Sequence, residues 1–265
     1  MPEFETLLVE RSAGITHVTL NRPEQRNAMS LKMVDELLAA LETAETDGSR
    51  AIVLAGAGGH FCSGGDVKDM GAAQAQPDNG ADPIAGVNAR FGELCAAYAA
   101  SGLPVVVVVE GAVMGGGFGL SCVADVVLAR ETAVFRLPET GLGLVPAQIA
   151  PFLVERLGYS EARRLAVTGG KVDAAAALRL GLVHVLCEGA HSCAAALSQT
   201  LADIKRGAPN AIAETKALIR RARLEPAGDL IQDAAKSFAR AARSDEGAEG
   251  LTAFLEKRAP RWTEG

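Results

Sequence analysis

Ala51-Ile-Val-Leu-Ala-Gly-Ala-Gly-Gly-His-Phe-Cys-Ser-Gly-Gly-Asp66 and Val105-Val-Val-Val-Val-Glu-Gly-Ala-Val-Met-Gly-Gly-Gly-Phe-Gly119 share one plan, a short apolar run followed by a glycine-rich turn. Runs of this length, bounded by glycine, predict buried strands. Glycine lets the backbone turn sharply and approach a ligand with its N–H groups free. Two such loops converging on one point would offer two backbone donors to one oxygen. That is an oxyanion hole, which stabilises an enolate or a tetrahedral intermediate. Neither loop is a nucleotide motif, because no Lys-Ser/Thr follows the second set of glycines and GxGxxG occurs in neither. The plainer use of these glycines is in tight turns and close packing.

Downstream lies an acid, Glu139, within Phe135-Arg-Leu-Pro-Glu-Thr-Gly-Leu-Gly-Leu-Val-Pro146. Working outward, Leu7–Glu10 and Ile15–Asn21 predict a hairpin turning at Ser12-Ala-Gly14. Ser30 is placed to cap a helix over Leu31–Ala44, whose Val34, Leu37, Leu38 and Leu41 form one apolar face. A short helix is expected to open near Gly64. Gly71 to Gly86 is polar, rich in proline and glycine, and aperiodic, so a mobile loop is expected. Helix Ala89–Ala100, the Val105–Val109 strand, a helix from Gly115 to Cys122 and strand Asp125–Ala129 follow. From Ala150 onward the pattern is mostly helical: Ala150–Leu157, Ser160–Thr168, Asp173–Leu180, Ser192–Arg206, Pro209–Leu224 and Gly228–Ala242.

A chain of 265 residues, 49% hydrophobic with only 4% aromatic, must build its core from Ala, Val and Leu. That composition and the strand–helix order point to an α/β protein. A net charge of −6 without a basic stripe argues against nucleic acid as a partner. The five cysteines show no paired spacing, which suits a reducing, cytoplasmic location. His184, Cys187, His191 and Cys193 lie close in sequence but match no zinc spacing, so no metal is expected. The N-terminal segment has no apolar h-region. The longest apolar stretch, Gly111 to Ala129, is glycine-rich and carries Asp125, so it reads as strand–turn–helix and not as a membrane span.

Taken together, these segments resemble the crotonase superfamily of enoyl-CoA hydratases and isomerases over nearly the whole chain. Asn21-Arg-Pro-Glu-Gln-Arg-Asn-Ala-Met29 is similar to the family's first CoA-binding turn. Phe61-Cys-Ser-Gly-Gly-Asp-Val67 and Gly115-Gly-Gly-Phe-Gly119 are similar to its two oxyanion segments. Leu180-Gly-Leu-Val-His-Val185 resembles the strand after the core, and Glu249-Gly-Leu-Thr-Ala-Phe-Leu-Glu-Lys-Arg258 the C-terminal signature. The resemblance implies a crotonase-like spiral of ββα units over 1–200. A C-terminal helical trimerisation region would span 201–265, giving a homotrimer or a hexamer of paired trimers. It also implies that a coenzyme A thioester is the substrate and that no cofactor is needed.

By motif position the resemblance assigns the two oxyanion donors to the N–H groups of Ser63 and Gly116, and the proton-transferring carboxylate to Glu139. Gly64, Gly65, Asp66, Val67, Gly115 and Pro138 would surround them, with Asp66 more suited to capping or bracing its loop. Gln25, Arg26 and Ala28 would line the adenine and phosphate end of CoA, with Arg22 a further phosphate partner. Phe254 and Lys257 would reach the CoA of a neighbouring subunit, or belong to an ordinary amphipathic end helix. Hydratases of the family typically carry a second glutamate where this chain has Gly119. A narrower resemblance, through residues 115–125 and 137–152, is to the branch acting on 3-methylglutaconyl-CoA or isohexenylglutaconyl-CoA, in leucine or terpene breakdown. There the substrate's own carboxylate would take over part of the missing glutamate's role, with Arg136 its candidate partner. A Δ3,Δ2-enoyl-CoA isomerase using Glu139 alone, and a non-catalytic acyl-CoA-binding scaffold, are the alternatives.

Overall fold

A two-residue turn sets the first register. Ala13 and Gly14, both at positive φ, join β1 (Leu7–Ser12) to β2 (Ile15–Leu20), so that Ser12 pairs with Ile15 in an antiparallel hairpin. The computed structural model describes residues 3–75 and 82–263. After the hairpin come α1 (Leu31–Thr46), β3 (Ala51–Gly56), α2 (Val67–Gln74), α3 (Pro83–Ala100), β4 (Val105–Val109), β5 (Ala112–Met114) and α4 (Gly116–Val123). Next are β6 (Val126–Arg130), β7 (Val134–Arg136), α5 (Ala150–Thr168), β8 (Lys171–Asp173), α6 (Ala174–Arg179) and β9 (Val185–Cys187). The chain closes with α7 (Gly189–Arg206), α8 (Pro209–Ala222), α9 (Ala227–Arg243) and α10 (Asp245–Glu256).

The strands form a six-stranded sheet in the order β1-β2-β3-β4-β6-β9, parallel except for the hairpin, and a three-stranded sheet β5-β7-β8. The five consecutive valines of β4 are explained by burial on both faces. Val105, Val107 and Val109 enter the large core with Leu37, Leu54, Tyr98, Phe118 and Phe135. Val106 enters a second core with Ile15, Val53, Leu128, Cys187 and Cys193, covered by Leu197 and Leu201 of α7. Side chains two apart share a face, so a strand covered on both sides reads as an unbroken apolar run.

Several boundaries differ from expectation. The Gly71–Gly86 stretch is helical at both ends: α2 begins at Val67 behind an Asp66 cap, and α3 begins at Pro83 behind an Asp82 cap, not at Ala89. Residues 76–81 of that stretch lie outside the described residues. Ser30 caps α1 as expected, accepting from Met33 N at 3.2 Å. The two helices expected on either side of Gly158 are parts of α5, interrupted at Gly158 (φ 74, ψ 161). Residues 200 and 201 both lie within α7, so the helical end of the chain runs on from the core without a linker there.

Candidate active site

Asn27 clamps the first turn to the first glycine loop. It is buried in left-handed backbone (φ 55), and its amide nitrogen donates to Ala57 O at 2.9 Å and His60 O at 2.7 Å. The first loop then runs beside the second. Cys62 N donates to Ala112 O, and Met114 N donates to Cys62 O, each at 2.9 Å. Gly64 (φ 104) and Gly115 (φ 48) occupy backbone that side chains rarely adopt. A β-carbon at 115 would stand 3.4 Å from Gly64 Cα, so the two loops are in close contact here.

The accounting of N–H groups changes one expectation. Ser63 N is already bonded to Arg26 O at 3.0 Å, so it is not the free donor of the first loop. Met29 N donates to Gly64 O at 2.8 Å, and Asp66 N donates to Met29 O at 2.9 Å, which makes Met29 and Gly65 partners in a parallel bridge. In such a bridge the intervening residue turns its N–H to the opposite side. Gly65 N–H therefore faces away from Met29 and has no acceptor among the described residues, and Gly65 lines the cavity. Gly116 N–H, in the first turn of α4, likewise has none. The unpartnered N–H groups of the two loops are thus those of Gly65 and Gly116, and the dipole of α4 adds partial positive charge at Gly116. The donor moves by two residues because Arg26 O takes the Ser63 N–H and nothing takes that of Gly65.

Glu139 opens a single helical turn just past β7, after Pro138. Thr140 Oγ1 donates to Ala166 O, fixing that turn against α5, while Gly115 N donates to Arg136 O and ties the second loop to the end of β7. Glu139 Oε1 lies 2.9 Å from where a β-carbon at 115 would be. Its Oε2 is buried without a hydrogen-bond partner. Burial pushes the Glu139 carboxyl above the ordinary carboxylate range, opposed only by its own backbone N–H. A desolvated carboxylate with a raised pKa is suited to taking and returning a proton near neutral pH.

These groups meet in a cavity of about 520 Å³, lined by Ser63, Gly64, Gly65, Asp66, Val67, Gly115, Gly116, Pro138 and Glu139 among the expected residues. Asp66 is spent on structure: it pairs with Arg22 at 2.8 Å and caps α2 through Lys68 N. Arg22 is thereby committed to the loop. Gln25, Arg26 and Ala28 sit on the first turn beside the cavity and not on its wall, with Arg26 exposed and free of ion pairs among the described residues. Phe254 lies on α10 and Lys257 caps its C-terminus, both away from the cavity. Arg136 does not face it either; its Nε donates to Gly169 O at 2.9 Å, which removes it as the partner expected for a substrate carboxylate.

Gly119 is buried, and its place is filled. A β-carbon there would stand 2.4 Å from Ile149 Cγ2 and 3.2 Å from Phe91 Cζ. Phe91 and Asn88 on the cavity wall went unmarked in the sequence, and Gln148 and Ile149 were marked only as part of the 137–152 resemblance, with no role assigned. The amide pair is joined by a bond from Gln148 Nε2 to Asn88 Oδ1 at 2.9 Å, and a contact across sixty positions leaves no local pattern. Of the clustered histidines and cysteines, His184 Nδ1 accepts from Val127 N, and Cys187 and Cys193 are buried in the second core. Among the described residues no group of three His, Cys, Asp or Glu is arranged to hold a metal ion. No described helix is long and apolar enough to cross a membrane.

A family model described as enoyl-CoA hydratase/isomerase matches residues 10–265. A probable enoyl-CoA hydratase of Rhodobacter capsulatus is 34% identical, with 98% of each chain covered. The structure of an enoyl-CoA hydratase/isomerase from Marinobacter aquaeolei superposes with a TM-score of 0.95 at 48% identity, covering 97% of this chain and 99% of that one. Pseudomonas aeruginosa AtuE superposes with a TM-score of 0.94 at 50% identity, covering 98% and 100%. The expected fold class, α/β and crotonase-like with a helical C-terminal region, therefore holds.

Proposed function

The chain belongs to the enoyl-CoA hydratase/isomerase family, and from that premise we propose that it adds water across the double bond of a branched glutaconyl-CoA thioester. It is an enzyme of the carbon–oxygen lyase type, as its named relatives are. The observation that carries the reading is Glu139 Oε2, buried and unpartnered beside a glycine loop whose neighbouring donors are also unpartnered. Water attacks the β-carbon, and the π electrons move toward the thioester oxygen. The N–H groups of Gly65 and Gly116 receive that oxygen as it becomes an enolate. Glu139 takes a proton from the water and returns one to the α-carbon, so the net change is addition of one water molecule. A preorganised donor of this kind contributes about 3–4 kcal/mol to the barrier in characterised cases.

The substrate's branch is supported by the sequence resemblance and by a cavity wall that includes Ile84, Val87, Leu142, Leu144 and Val145, suited to an apolar branch. The substrate's own carboxylate then takes over part of the role of the missing glutamate. Exposed Arg26, and Lys68 in the first turn of α2, supply positive charge for CoA phosphates. A reducing, cytoplasmic location is supported by five cysteines that are all free thiols. Assembly with copies of itself, as a trimer or a pair of trimers, is supported by α9 and α10, which hold Phe238 at 77% and Phe254 at 81% exposure.

One observation favours a second reading. With Ile149 and Phe91 over Gly119, Glu139 is the one carboxylate on the wall without a hydrogen-bond partner among the described residues, which suffices for an isomerase that shifts a double bond. Turnover on crotonyl-CoA, 3-methylglutaconyl-CoA and isohexenylglutaconyl-CoA, beside a Glu139→Gln control and in isotopically labelled water, separates the two. Uptake of solvent oxygen into product with the glutaconyl thioesters, absent in the control, supports the hydratase. Double-bond migration without oxygen uptake replaces it with the isomerase.

A further inference from the structure

We infer that Asn88 and Gln148 are the specificity-determining pair of the cavity, binding the carboxylate of the acyl chain through neutral amide N–H groups. The inference rests on the hydratase reading above and deepens it by assigning the partner of the substrate's carboxylate. Its starting point is a deficit: among the described residues no arginine or lysine lines the cavity, and Arg136 Nε is engaged by Gly169 O. Apart from Glu139, the acidic side chains described on its wall are occupied. Asp66 pairs with Arg22, Asp69 accepts from Leu31 N at 2.6 Å, and Asp82 caps α3.

The amide pair is the exception, because it keeps three N–H hydrogens to give. Gln148 Nε2 gives one hydrogen to Asn88 Oδ1, which uses the Asn88 carbonyl. The Gln148 carbonyl packs over Gly92, one turn on from Asn88, with Oε1 only 2.2 Å from where a β-carbon at 92 would be. Glycine at 92 is what lets Gln148 lie there. The remaining hydrogens, two on Asn88 and one on Gln148, have no acceptor among the described residues. With one carbonyl bonded within the pair and the other packed against Gly92, the hydrogens that remain are suited to an oxygen anion. The pair is unsuited to activating water, since an amide does not take a proton. Gln148 also precedes Ile149, whose side chain fills the place of a side chain at 119. The segment that closes the missing glutamate's position thus brings a donor pair to the same wall.

The test compares 3-methylglutaconyl-CoA with 3-methylcrotonyl-CoA, which lacks only the carboxylate, in wild type, Asn88→Leu, Gln148→Met and Gln148→Glu. The readout is the ratio of the two kcat/KM values within each variant, which cancels any loss of folded protein. Removing hydrogen bonds to a charged group is expected to lower that ratio roughly tenfold or more in the first two variants, chiefly through KM. Gln148→Glu, which sets like charges against each other, should lower it further. A wild type that prefers the carboxylated thioester, with variants that keep the preference, overturns this inference and leaves the hydratase reading standing. A wild type without the preference overturns the glutaconyl substrate and this inference with it.

Discussion

Ile149 stands where a side chain at Gly119 would have to go, its Cγ2 2.4 Å from the position of the absent β-carbon. A glutamate restored at this position has no room. Gly119→Glu alone is expected to destabilise the protein by about 1–3 kcal/mol, the usual cost of overpacking a core, and to lower turnover. Adding Ile149→Ala should recover most of the stability. Urea denaturation of the single and double variants checks this, and an unaltered midpoint in the single variant would refute it.

Glu139→Gln should lower kcat by roughly 10²–10⁴-fold, the range for a lost general acid–base group, with CoA-thioester binding retained. Rapid kinetics beside calorimetric titration with a product thioester gives both quantities.

The raised pKa of Glu139 has two signs to check. As a base it must be ionised, so kcat/KM is expected to fall with decreasing pH along a limb lying above the ordinary glutamate value of 4.5. For stability the sense reverses. A folded-state pKa above the unfolded one contributes stability that is fully present below the unfolded value and lost as pH rises through the folded one. Glu139→Gln should therefore raise the melting temperature at pH 7, and the gain should vanish below about pH 4, under the unfolded reference value. A gain that persists at low pH would assign it to something other than this carboxyl.

The donor assignment separates Gly65 from Gly116. Gly116→Pro removes an N–H at a first helical position, where proline otherwise fits, so kcat should fall by about 10²–10³ while the fold survives. Gly65→Ala keeps the N–H and meets open space, and should turn over within about twofold of wild type, the ordinary scale of an unstrained substitution. Steady-state kinetics with circular dichroism on both variants decides the matter.

Gly115→Ala puts a β-carbon 2.9 Å from the Glu139 carboxylate, in backbone that suits only glycine. About 1–3 kcal/mol of stability should be lost, together with most activity, measured by thermal melting and turnover.

The parts of this protein legible in its sequence are those decided locally. The Ser30 cap, the apolar face of α1, the doubly buried β4 and the hairpin turn at Ala13-Gly14 each follow from a few adjacent residues. Asp82-Pro83 carried a helix-start signal as well, masked by the polar run before it. β7 and β8, three residues each, are too short to show a period. Which N–H of Ser63 or Gly65 is free depends on a bridge to Met29, 36 positions from Gly65, and the Asn88–Gln148 pair spans 60. Such features are tertiary by nature, and composition or periodicity carries no trace of them.

The two bridges of the first glycine loop, Cys62 to Val113 and Gly65 to Met29, have a genetic consequence. The aim of its free main-chain N–H is set by the number of residues between them, so what inheritance must preserve here is spacing more than spelling. Many single-letter changes at 63 or 65 leave the aim intact, whereas losing one codon between 62 and 66 shifts the register and turns the N–H away.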